Sequence, residues 1–167
     1  MPDKDAATNT QPGGGHSSLK KTTLSGAQAI AQSSRTYVKE SETLQRILLV
    51  EDDVSLANLE ADILSARGYA VSIATSGEMA ITALHQDIPD LVLLDLDLSG
   101  ATTGWDVFKV LRSYSSAPVL LTSAESTIRS YIRTQGESRS TLDHLPKPYP
   151  LQALLKRIER MLAITPQ

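Results

Sequence analysis

The sequence predicts an α/β fold: a parallel sheet of five strands with helices packed on both faces. Three observations carry this. Two four-residue runs, Ile47–Val50 and Leu91–Leu94, are wholly apolar, as strands buried on both faces must be. From Arg46 onward, strand-like and helix-like segments alternate five times, which calls for parallel strands joined by right-handed crossovers. Polar residues of complementary chemistry stand after several of these strands, at the carboxyl edge where such sheets bind ligands.

The elements follow in order. Ile47-Leu48-Leu49-Val50 is stopped by Glu51-Asp52-Asp53. Ser55 opens a helical pattern with Leu56, Leu59, Ile63 and Leu64 on one face, and Gly68 ends it. Tyr69 to Thr75 reads as a strand from its β-branched content. Ser76 caps a helix carried by Met79, Ile81 and Leu84, with Glu78 in its first turn. The central strand, Leu91–Leu94, lies between Pro89-Asp90 and Asp95. A helix starts at Gly104-Trp105-Asp106 and turns Phe108, Val110 and Leu111 inward. Pro118 opens the strand Val119–Thr122, and a shorter, more polar helix follows between Glu125 and Thr134. Leu142–Leu145 is a poor strand by pattern. Pro150 begins a last amphipathic helix whose stripe is Leu151, Leu154, Leu155, Ile158 and Leu162.

Residues 1–45 differ from the rest in composition. Met1 to Ser18 is polar, holds the run Gly13-Gly14-Gly15 and has nothing to bury, so disorder is expected there. Ser25 to Leu44 has weak helical potential through Ile30, Tyr37 and Leu44, read as a linker. The tail carries five basic and four acidic residues against eleven and fifteen in residues 46–167, so the acidity belongs to the folded part. A formal net charge of −3 argues against nucleic-acid binding by electrostatics alone. The absence of cysteine excludes disulfides and thiolate metal sites, and it fits a reducing, cytoplasmic setting. No segment has the length of apolar chain that a membrane helix needs.

A parallel sheet brings the strand ends together on one edge. Glu51, Asp52 and Asp53 follow the first strand, Asp95 and Asp97 the third, Thr122-Ser123 the fourth and Lys147 the fifth. Clustered carboxylates repel one another unless a cation sits among them. A hard oxygen site with few protein ligands suits Mg²⁺, which keeps several waters and favours phosphate as a co-ligand. An ammonium and a hydroxyl are what phosphoryl oxygens require. The set describes a phosphoryl-transfer site with Asp95 as nucleophile. For the side chains of Asp53 and Asp97, a plain solvated loop role stays equally open.

These residues resemble a known family. Residues 46–164 are similar to the receiver domain of two-component response regulators. The resemblance lies in Ile47-Leu48-Leu49-Val50-Glu51-Asp52-Asp53, Asp95 within Leu-Leu-Asp-Leu-Asp-Leu, Pro118-Val119-Leu120-Leu121-Thr122-Ser123, and Leu145-Pro146-Lys147-Pro148-Tyr149. It implies a flavodoxin-like (βα)5 three-layer sandwich with strand order 2-1-3-4-5, and a receiver domain over 46–167. It further implies that Glu51 and Asp52 hold Mg²⁺ together with Asp95 and the backbone carbonyl of Asp97, whose side chain would point toward the attack zone. Asp95 would accept a phosphoryl group from a sensor histidine kinase or a phosphotransfer protein. Thr122 would bond that phosphoryl and trigger the switch, and Lys147, before a cis Lys147-Pro148 bond, would pair with it.

The sequence also departs from the family pattern. Leu98-Ser99 stands where Leu-Pro is usual, and the loop through Thr103 is longer by one residue. His144 occupies the position of the switch aromatic, and Gly136 to Asp143 is longer and more polar than the usual turn. No effector domain is expected after the last helix. Output is therefore expected from a protein contact, including a homodimer, at the face of the fourth helix, fifth strand and last helix, with an unknown output protein and with neither nucleic acid nor membrane. Two alternatives belong to other classes. Asp95-Leu96-Asp97 also resembles the Asp-x-Asp of haloacid-dehalogenase-type phosphohydrolases, with Asp97 as general acid/base, although that family needs an acidic motif after the lysine. The other is a binding module that works without phosphorylation. The receiver is expected to act as a phosphoacceptor and not as an enzyme on a separate substrate.

Overall fold

The computed structural model describes residues 43–163 apart from Ser126. The tail expected to be disordered or weakly helical lies, up to residue 42, outside them. The strands β1 (Arg46–Val50), β2 (Ala70–Ala74), β3 (Leu91–Asp95), β4 (Val119–Ser123) and β5 (Leu142–Pro146) form one parallel sheet of order β2-β1-β3-β4-β5. Between and after them run α1 (Val54–Ala66), α2 (Gly77–Gln86), α3 (Gly104–Arg112), α4 (Ile128–Gln135) and α5 (Leu151–Ala163). This is the flavodoxin-like order, in which the direction of strand addition reverses between β1 and β3 and leaves a crevice at their carboxyl ends.

The apolar strands are explained by two cores, one on each face. Successive side chains of a strand point to opposite faces. Leu48, Val50, Val92, Leu94, Val119 and Leu121 accordingly pack with α2, α3 and Ile128 of α4. Ile47, Leu49, Leu91, Leu93 and Leu120 pack with α1 and α5. Truncating any of these buried leucines to alanine costs about 2–5 kcal/mol.

The helix starts follow their caps. Asp53 accepts from the backbone N–H of Ser55 and Leu56 at the start of α1. Ser76 caps α2, and Thr103 and Asp106 form a reciprocal capping box on α3. Gly68 ends the first turn region with φ +90°, which favours glycine.

Some expected faces are corrected. α1 buries Ala57, Glu60, Ala61 and Leu64, while Leu59 is 51% exposed. The inward stripe is thus rotated toward a carboxylate that has its own partner. On α2 the exposed Met79 is replaced inside by Ala80, and on α3 Val107 is buried where Val110 is only partly covered. α4 begins at Ile128, later than expected. The weak pattern of β5 is nonetheless a regular strand, paired along its length with β4. Its Asp143 and His144 are buried, so polarity hid it from the pattern.

Candidate functional site

The site grows from the carboxyl ends of β1 and β3. Asp95, the last residue of β3, is 2% exposed, and Glu51, next after β1, is 3% exposed. Together with the half-buried Asp52 they place one carboxylate oxygen each within 4.8 Å of one another. Three anions this close, two of them buried, need a cation. Lys147 provides one: its Nζ lies 2.6 Å from Asp95 Oδ2 and 3.0 Å from Glu51 Oε2. The Lys147-Pro148 bond is cis, as expected.

The electrostatics follow from this packing. Burial pushes the Glu51 carboxyl above its usual range, the Lys147 hydrogen bond offsets this in part, and the Asp95 charge adds to it. Burial alone would lower Lys147, but its bonds to Asp95 and Glu51 outweigh it and hold the ammonium above its ordinary value. Asp52 is held below the usual range by hydrogen bonds from Ser99. The Ser99 backbone N–H donates to Asp52 Oδ2 at 2.7 Å. A proline at that position would have no N–H to give. Ser99 was singled out in the sequence only as a departure, yet it orients a carboxylate of the cluster.

Asp95 is held by a second donor, since the N–H of Asp97 lies 2.9 Å from its Oδ1. Close contact is built into the backbone too. A Cβ on Gly104 would come within 2.3 Å of the Asp95 carbonyl oxygen, so the α3 start presses directly on the strand end. Thr122 is 2% exposed and stands opposite Asp95 in the β3–β4 register.

For Asp53 and Asp97, whose side chains the sequence leaves open to a loop role, the structure shows what each carboxylate holds. The Asp97 carboxylate is exposed and turned to β4, accepting from Ser123 Oγ at 3.2 Å and the Ala124 N–H at 2.9 Å. It therefore braces the β4–α4 loop. Asp53 has its carboxylate engaged as the α1 cap. His144 is not part of the cluster. It lies buried in β5, and neither ring nitrogen has a hydrogen-bond partner.

Sequence reasoning missed a buried pair behind the cluster. The Tyr149 hydroxyl donates to Glu60 Oε1 at 2.8 Å, and Glu60 is 1% exposed. Burial raises Glu60, with the Tyr149 bond opposing. Tyr149 is pushed far up, by burial first and by Glu60 next, while the Thr122 hydroxyl acts the other way. A carboxylate four residues from the aliphatic positions of a helix gives no sign in sequence that a tyrosine of the last loop will cover it.

The arrangement can hold a hard divalent cation on oxygen ligands beside an anchored carboxylate nucleophile and an ammonium. Oxygen donors of this kind, few in number and open on one side, fit Mg²⁺. Comparison with known proteins agrees. The family model described as response regulator receiver domain matches residues 47–159. The DNA-binding response regulator MtrA of Mycolicibacterium paratuberculosis is 36% identical over 118 residues, covering 71% of this chain and 51% of that protein. The transcriptional regulatory protein BaeR of Escherichia coli is 33% identical over 127 residues, covering 76% and 52%. The chain thus spans about half the length of these relatives. The crystal structure of the receiver domain of NtrX from Brucella abortus superposes with a TM-score of 0.61 at 28% identity, covering 71% of this chain and 99% of that one. Among the described residues, no helix is long and apolar enough to cross a membrane.

Proposed function

The chain belongs to the response-regulator receiver family, and from that premise we propose that Asp95 accepts a phosphoryl group from the phosphohistidine of a sensor kinase or phosphotransfer protein. The observation that carries this is the convergence of Glu51, Asp52 and Asp95 within 4.8 Å, with Lys147 bridging two of them. In the reaction an Asp95 carboxylate oxygen attacks phosphorus, the P–N bond breaks, and the imidazole leaves with the electron pair. The product is an acyl phosphate on Asp95 and a free histidine on the donor.

Glu51, Asp52 and Asp95, with the Asp97 carbonyl, are the residues that would hold Mg²⁺, and the bound ion would supply positive charge to the phosphoryl oxygens. Lys147, already on Asp95, pairs with the incoming phosphoryl. Thr122, register partner of Asp95, bonds it and is drawn toward the site. His144 and the face of α4, β5 and α5 carry the change to an output protein or a second copy. The protein works as a phosphoacceptor in the cytoplasm and not by turnover of a separate substrate, and residues 1 to about 24 are dispensable for this chemistry.

Intact-protein mass spectrometry after incubation with acetyl phosphate and Mg²⁺ tests the proposal. One phosphoryl adduct is expected, absent with EDTA and absent in Asp95→Asn. A full adduct on Asp95→Asn refutes the assignment. Steady hydrolysis of phosphomonoesters would instead favour a phosphohydrolase, a role for which the Asp97 carboxylate, engaged by Ser123 and Ala124, is poorly disposed.

A further inference from the structure

Away from the carboxylate cluster, a cavity of about 390 Å³ lies beside the edge strand β5, between α4 and α5. Four guanidinium groups line it: Arg129 and Arg133, one turn apart on α4, Arg139 from the segment before β5, and Arg157 from α5. Among the described residues, the only acid in its wall is Asp143, and that carboxylate is already shared by Arg157 and Arg160. The Arg129, Arg133 and Arg139 side chains are exposed, and among the described residues they make no hydrogen bond or ion pair.

The inner wall holds a second unmet demand. His144 is 3% exposed, lines the cavity, and has both ring nitrogens without a hydrogen-bond partner. A buried polar group left unsatisfied is costly, and exposed like charges crowded at one mouth, though screened by solvent, favour an anion between them. One occupant answers both: an anion that accepts hydrogen bonds on several sides. Guanidinium groups suit phosphate oxygens because their planar fork donates two parallel bonds.

We propose that this cavity binds a small phosphate-bearing organic molecule, with Arg129, Arg133 and Arg139 on the phosphate and the His144 ring, whose nitrogens are covered in this structure, turning to donate to it. The volume lies within the range of small-molecule sites and leaves room beyond a phosphate group. Ile132 gives the wall an apolar surface for the organic portion. Burial keeps His144 below the ordinary imidazole range, the nearby Arg129 and Arg157 adding to the effect while the Ser123 backbone, near the ring but outside hydrogen-bond geometry, and Asp143 oppose it. A neutral ring still has one N–H to donate. None of these residues belongs to the Asp95 cluster, so the site stands or falls independently of phosphoryl transfer.

Isotope-edited NMR of the full chain tests it, in EDTA so that no divalent ion can bridge phosphate to Asp95. Titration with adenosine monophosphate should give saturable shifts of the amides of Arg129, Arg133, Arg139 and His144, with submillimolar affinity. Inorganic phosphate should bind the same amides more weakly. The double substitution Arg129→Gln with Arg133→Gln should weaken binding by about tenfold or more, while Asp95 phosphorylation stays as in the parent. His144→Phe, which keeps a buried ring, should weaken it severalfold with a well-dispersed spectrum. Shifts that never saturate, shifts centred on Lys147 and Asp95, or full affinity in the double variant would each overturn the site. A phosphoserine peptide that binds about tenfold tighter than the nucleotide would overturn the small-molecule assignment.

Discussion

The Lys147 ammonium and the Asp95 carboxylate are in direct contact, 2.6 Å apart, and the same ammonium reaches Glu51 at 3.0 Å. One cation therefore neutralises two buried acids from two different strands. Lys147→Ala should cost about 1–3 kcal/mol in EDTA, a buried-pair loss reduced by the partial exposure of the lysine. Added Mg²⁺ should recover more stability in the variant than in the parent, because the ion replaces the missing charge. Urea unfolding with and without Mg²⁺ measures both, and equal Mg²⁺ effects would contradict this account.

Ser99 supplies the N–H that holds Asp52. Ser99→Pro removes that donor and should lower Mg²⁺ affinity by about tenfold, the usual effect of losing a group that orients a metal ligand. Ser99→Ala keeps the N–H and should fall between the two. Calorimetric titration decides the order.

Gly104 touches the Asp95 backbone, and a Cβ there would lie 2.3 Å from its carbonyl oxygen. Alanine is the better helix former by about 1 kcal/mol. The clash is with backbone, which cannot swing away. Gly104→Ala should therefore lose about 1–3 kcal/mol net and slow phosphorylation as well. A variant as stable and as reactive as the parent would show that the strand end yields.

Tyr149→Phe leaves the Glu60 carboxylate without its hydrogen bond, at a cost of about 1–3 kcal/mol at neutral pH. The pH dependence has a definite sign. Glu60 is raised in the folded state, so the fold holds the proton that the unfolded chain loses first, and stability falls as pH rises past the ordinary glutamate value of 4.5. Removing the Tyr149 donor raises Glu60 further. The deficit of the variant should be small at acid pH, where Glu60 is protonated in both states, and grow toward neutrality. Thermal melts across that range check it.

The legible parts of this molecule are those in which one local pattern decides one element. Ile47–Val50 and Leu91–Leu94 are buried on both faces and need no partner information to be read as strands. The strand-end acids and Lys147 were legible because parallel topology sends every carboxyl end to one edge. Polar residues whose burial depends on distant partners were not legible. Glu60 is covered by Tyr149, 89 residues on. Asp143 is paired by Arg157 and Arg160 from α5. Leu59 lost its expected place inside because Glu60, with its tyrosine, took the inward face. Asp53 and Asp97 could be ligands or loop residues by type alone, and only the positions of Ser55, Leu56, Ser123 and Ala124 show what their carboxylates hold.

The polarity of β5 also governs how the sheet can grow. Peptide groups of a parallel strand alternate between its two neighbours, and Lys147 donates inward to Ser123, so Leu142, His144 and Pro146 turn their peptide groups outward. The Leu142 N–H is bound to the Ser138 carbonyl, the His144 N–H to Asp143 Oδ1, and Pro146 has none. An incoming strand would meet an edge with no donors to offer, the condition that protects edge strands from templated aggregation. Among the described residues, the other border of the sheet is β2.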